Sequence, residues 1–82
     1  MKTNSLMYEF IIRLDGTQSL RISEIVKVDL DIDDQYERHN INFMINAENN
    51  KMYHTWYFKS KAECLDNLAN INKCLSTYVI QK

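Results

Sequence analysis

Proline is absent from this 82-residue chain, glycine occurs once and cysteine twice. With Gly16 the sole glycine, no glycine-rich loop is available to cradle a phosphate. Cys64 and Cys74 fall in a segment that reads as one helix. At 1.5 Å of rise per residue they lie about 15 Å apart, beyond the roughly 7 Å between Cα atoms that a disulfide tolerates. Both are expected as free thiols. Charge of one sign is also missing: ten basic and eleven acidic residues leave a net charge of −1, and the basic ones are dispersed along the chain. Neutralising a phosphate backbone takes a cluster of Lys and Arg, so direct nucleic-acid binding is disfavoured. Apolar runs stop at three residues, as in Phe10-Ile11-Ile12, far short of the roughly 20 that span a bilayer. Residues 1–7 lack the apolar core and cleavage site of a signal peptide. No membrane association is expected, and the cytoplasm is the expected compartment.

What is present suits one small domain. The apolar fraction of 45% is ordinary for a globular chain. A chain of this length buries roughly 60–65% of its unfolded surface, enough for one core between a sheet and a helix. Nine asparagines and no proline suggest an AT-rich gene. No internal repeat, linker or low-complexity tract interrupts residues 1–82, which divide into a polar lead-in (1–6), a sheet region (7–58) and a helix (60–76).

The clearest pattern is Val26 to Asp33, where apolar and charged residues alternate. A period of two places Val26, Val28, Leu30 and Ile32 on one strand face and Lys27, Asp29, Asp31 and Asp33 on the other. Residues 8–14 alternate similarly and predict a strand with Tyr8, Phe10, Ile12 and Leu14 inward. Asp15-Gly16 then signals a two-residue hairpin turn with positive φ at both positions, leading into a partner strand over 18–22. Ser23 to Ile25 breaks the alternation and reads as a bulge or single turn. Residues 33–40 read as a loop, and 41–46 as a strand with Ile41, Phe43 and Ile45 inward. Residues 48–51 form a second hairpin turn. The strand 52–58 is aromatic on both faces; Phe58, close to the following helix, draws its own face and Trp56 inward and leaves Tyr53 and Tyr57 outward.

Ser60 and Glu63 fit a capping box, in which each side chain satisfies a backbone amide near the other. Cys64, Leu68, Ile71 and Leu75 follow as an apolar helix stripe flanked by Leu65. Residues 78–80 read as either the helix end or a short extra strand. The fold class expected is α+β: an antiparallel sheet of four to five strands, a β-meander that a strong curl could turn into a small barrel, with one C-terminal helix packed on one face.

The candidate sites follow from those strands. Asp29, Asp31 and Asp33 sit at the spacing of the first calcium-loop ligands, but the motif's glycine is replaced by Asp34 and its closing glutamate by Asn40. A solvated sheet face that discourages edge aggregation explains the same row. So does recognition: carboxylates stepping along a strand at about 6.6–6.8 Å, extended by Asp34 and Glu37, can meet a basic surface on a partner protein or imitate a phosphate row. Tyr53 and Tyr57 offer a second patch, either for cross-strand packing, for a protein interface, in which tyrosine is enriched, or for stacking single-stranded bases. His39 and His54 stand at no metal-ligand spacing from a cysteine or each other. Cys64 reads as a small core residue, and Ser60 is engaged by the helix cap. No catalytic residue, metal or cofactor is expected.

These features predict a non-enzymatic protein-binding module, with a homo-oligomeric accessory protein as the alternative and a single-strand nucleic-acid binder after that. In size, composition and layout the whole chain resembles the short α+β proteins that phages and mobile elements encode to inhibit host machinery, CRISPR inhibitors among them. The likeness implies a basic, nucleic-acid-handling host protein as the partner, met in the host cytoplasm.

Overall fold

Ile41, Phe43 and Ile45 alternate with Asn42 and Met44, and all three are buried on one face of the longest strand. That strand is the centre of the fold in a computed structural model that describes residues 9–81, with side chains through Thr77. The elements run β1 (Phe10–Ile12), β2 (Ser19–Arg21), a 3₁₀ turn (Ile22–Glu24), β3 (Ile25–Asp33), a second 3₁₀ turn (Asp34–Tyr36), β4 (Arg38–Ala47), β5 (Asn50–Tyr57) and α1 (Lys61–Gln81). The lead-in at 1–6 and the inward placement of Tyr8 fall outside the described residues.

The class is α+β with antiparallel strands, as expected, but the strands form two sheets. A β1–β2 hairpin stands apart from a three-stranded sheet ordered β3-β4-β5. The division falls at Ile22–Glu24, where the alternation fails. The 3₁₀ turn there buries Ile22 and redirects the chain before β3 begins. The expected continuous meander is thereby corrected.

The first hairpin also shows the opposite face to that expected. Ile11 is fully buried, whereas Ile12 is 56% exposed, and Phe10 and Leu14 are exposed with it. A one-residue change of face inverts every side chain of a strand, and here Arg13 decides the matter. Its guanidinium lies 4.1 Å from the centre of the Phe58 ring and donates from Nη2 to the Tyr57 carbonyl at 2.6 Å. Arg13 is thus drawn inward beside Ile11, its stem packed and its charge satisfied. The turn is also longer than two residues: Arg13 N–H bonds to Gln18 O at 2.9 Å, and only Gly16 has positive φ, at 78°. Asp15 instead accepts from the Thr17 hydroxyl and amide, which hold its carboxyl below the usual range with help from Arg13.

The second hairpin turn is shorter than the four residues expected, since Asn50 and Lys51 already pair with Ala47 and Asn46 in β5. Glu48 and Asn49 both have positive φ, 51° and 68°, as a two-residue turn matched to strand twist requires. β4 starts at Arg38, three residues earlier than its apolar alternation indicates, because Arg38 pairs in register with Asp33. Trp56 of β5 and Phe58 just beyond its end point inward, and Trp56 meets Phe43 edge-on with ring centres 4.8 Å apart.

α1 closes the core over the buried face. Ser60 Oγ accepts from the Glu63 amide at 3.1 Å, and the Glu63 carboxylate takes the Lys59 amide, one residue before the partner expected for a capping box. Cys64 and Ile71 are fully buried, with Leu68 and Leu75 partly so. Leu65 is exposed. Asn67 is buried in its stead, accepting from the Leu14 amide at 2.9 Å and donating to Glu63 O, so the helix is tied to the first hairpin. Residues 78–80 continue the helix. No helix among the described residues is long and apolar enough to cross a membrane.

Candidate partner-binding face

β3 alternates because one of its faces meets the core and the other meets water. The pairing register makes this concrete: Val28 lies opposite Phe43, Leu30 opposite Ile41 and Ile32 opposite His39 on the inner side. Asp29 lies opposite Asn42, Asp31 opposite Asn40 and Asp33 opposite Arg38 on the outer side. The regular pattern breaks at its first residue. Ile25 pairs with Ile45 but Lys27 with Met44, which leaves Val26 as the extra residue of a bulge, 56% exposed instead of inward.

The β4–β5 register continues those outer rows across the sheet. Asn42 faces Thr55, Asn40 faces Tyr57 and Met44 faces Tyr53. The outer face therefore reads Lys27–Met44–Tyr53, then Asp29–Asn42–Thr55, then Asp31–Asn40–Tyr57, with Asp33–Arg38 at one end. Two patches that are separate in sequence, the aspartate row and the tyrosine pair, share one surface. They are separated by the width of two strand spacings, about 9.5 Å. Tyr53 and Tyr57 are 74% and 68% exposed, so both rings present their area to solvent. Thr55 Oγ1 donates to Asn42 Oδ1 at 2.7 Å and ties β5 to β4 between them.

The aspartates are not bare charges. Arg38 Nε donates to Asp31 at 3.0 Å and its Nη2 lies 3.6 Å from Asp33; Lys27 lies 3.6 Å from Asp29. Asp33 also caps the following 3₁₀ turn by accepting from the Gln35 amide at 3.1 Å. Exposed pairs of this kind are worth about 0–1 kcal/mol each, so an incoming cation can replace one at little cost. The two residues expected to extend the row are placed differently. Asp34 sits in the 3₁₀ turn with its carboxylate 3.6 Å from Lys61 of the helix and 3.9 Å from His39 Nε2. Glu37 follows it in the left-handed region, with φ 51°, and is exposed.

Of the two histidines, His39 takes the inner side and leaves its Nδ1 buried without a partner. His54 meets the Gln18 side chain at 3.1 Å. Among the described residues, no group of three or more His, Cys, Asp or Glu is gathered as a metal ion would require. Sequence reasoning missed Arg38, whose fork holds two aspartates; its place in a polar segment gave it no strand periodicity.

Burial pushes the thiols of Cys64 and Cys74 up from their ordinary range. Thiolate is the reacting form, so both are expected to alkylate slowly in the folded protein. Cys74, only partly buried, should label before Cys64. Peptide mass spectrometry after a timed iodoacetamide pulse at neutral pH checks the order, and faster labelling of Cys64 would contradict the helix orientation.

No family model matches the chain, and no characterised protein or solved structure matches it significantly.

Proposed function

We propose that this protein is a non-enzymatic binding module that docks a basic surface of a partner protein on the outer face of its three-stranded sheet. The observation that carries this reading is the register: it gathers Asp29, Asp31 and Asp33 with the exposed Tyr53 and Tyr57 on one face. Exposed tyrosines supply contact area at low entropic cost, and a carboxylate row steers a basic partner into place. The partner class that suits such a face is a nucleic-acid-handling protein whose basic groove normally holds phosphates. The likeness in size, composition and layout to the small inhibitors of phages and mobile elements supports the same reading. A stacking platform for single-stranded bases is a poorer fit, because the tyrosines share their face with three carboxylates.

The test is a kinetic one. Partners are captured from bacterial lysate with and without nuclease, and association is then followed by stopped flow. Changing Asp29, Asp31 and Asp33 together to Asn keeps the acceptor for the Gln35 amide, and loses only surface pairs worth about 0–1 kcal/mol each. Association with the partner should slow by about tenfold at low salt, and its salt dependence should flatten, since steering by exposed charge is screened beyond about 8 Å at physiological ionic strength. A wild-type rate at low salt would reduce the carboxylates to a solubility device. The nucleic-acid reading has the opposite sign: removing three negative charges would tighten binding to a labelled oligo-dT strand.

A further inference from the structure

We propose that the free edge of β3 accepts an antiparallel strand from the partner, an extended segment that alternates apolar and basic side chains. The proposal rests on the outer face being a binding surface and specifies how the partner engages it.

Hydrogen-bond parity identifies which backbone groups are free. Phe58 N–H donates to His39 O, so the odd-numbered residues of β4 bond to β5. Alternation in an antiparallel ladder then directs the even-numbered ones towards β3, where Arg38, Asn40, Asn42 and Met44 pair with Asp33, Asp31, Asp29 and Lys27. Val28, Leu30 and Ile32 turn their N–H and C=O groups the other way. β3 is an edge strand, and no backbone group among the described residues reaches those three from outside the sheet. Such a row is a template for strand addition.

The side chains along this edge define the incoming strand. On the inner face Leu30 is 44% exposed although it lies opposite the fully buried Ile41. The apolar layer therefore stops one strand short, and apolar residues of an added strand would continue it beside Leu30. On the outer face the neighbours are Asp29, Asp31 and Asp33, so the alternate residues of the added strand are basic. They would share or replace Lys27 and Arg38, which hold the carboxylates at 3.0–3.6 Å.

A second copy of β3 fits this edge poorly. A twofold register centred on Leu30 sets Asp29 opposite Asp31 of the copy, twice; shifting it to pair Val28 with Leu30 sets Asp29 opposite Asp29 and, although Lys27 then meets Asp31, runs Ile32 against the bulge at Val26. Like charges directly opposite destabilise a strand pair. Registers nearer the start of β3 run into the bulge at Val26.

The probe is a synthetic nonapeptide alternating lysine and valine, titrated into the ¹⁵N-labelled full chain. Two further copies carry N-methyl groups on the valine amides only or on the lysine amides only. In antiparallel addition the valines lie opposite Val28, Leu30 and Ile32, and their N–H groups make the new bonds. Methylating them should weaken binding by about tenfold or more, since each methyl group removes a backbone donor that the new ladder needs. Methylating the lysine amides should change little. The amides of Val28, Leu30 and Ile32 should become protected from exchange in the complex. Equal binding of all three peptides without protection would overturn strand addition. If the Asp29, Asp31 and Asp33 variant still weakened that binding, the outer-face reading would survive. No binding by any peptide, or protection of the same amides through self-association in sedimentation, would also overturn the proposal.

Discussion

Replacing Trp56 by alanine should lower the unfolding free energy by about 3–5 kcal/mol, the range for emptying a large aromatic site in a core. The side chain is fully buried between α1 and the sheet and packs edge-on to Phe43. A domain of this size has a total stability of about 4–12 kcal/mol, so the variant should be partly unfolded near body temperature. Trp56→Phe should be far milder. The indole Nε1 is buried without an acceptor, and an unmet buried donor carries a penalty of about 1–3 kcal/mol. Phenylalanine removes that donor and keeps most of the ring contact. Urea titration followed by circular dichroism measures both, since Trp56 is the only tryptophan and fluorescence would be lost with it. A loss below about 1 kcal/mol for Trp56→Ala, small against the usual range, would mean that this face of β5 does not line the core.

Ile71→Ala should cost about 2–5 kcal/mol, and Leu68→Ala clearly less. Both residues belong to the apolar stripe of α1, but Ile71 is fully buried and Leu68 only partly so. The difference follows from the rotation of the helix, which turns Cys64, Asn67 and Ile71 into the core. Equal losses for the two variants, measured in the same titration, would require the helix to be rolled towards Leu68.

The helix shows what local pattern can and cannot reveal. Its start was legible in Ser60 and Glu63, and its apolar stripe in residues spaced three and four apart. Asn67 gave no such signal, because its burial depends on the Leu14 amide, 53 positions away, having no other partner. β1 failed for a related reason. Phe10, Ile12 and Leu14 looked inward by alternation, yet Arg13 found a cation–π and carbonyl site made by Phe58 and Tyr57. A three-residue strand has too little pattern to resist one such contact.

The candidate site divides along the same line. Which side chains of β3 and β5 share a strand face was readable from the sequence, because side-chain direction in a strand is a property of the local backbone with period two. The outward aspartates followed from that alone; for Tyr53 and Tyr57 the period gave a shared face, and the choice of the outer one rested on Phe58 lying beside the helix. That the aspartate row and the tyrosine pair form one surface, that Arg38 bridges two carboxylates, and that β3 is an edge strand among the described residues were decided by the tertiary structure. Those facts depend on which strands become neighbours and in what register, and on a 3₁₀ turn that detaches the first hairpin from β3. Strand neighbours are chosen by burial shared between distant segments, which no local period records.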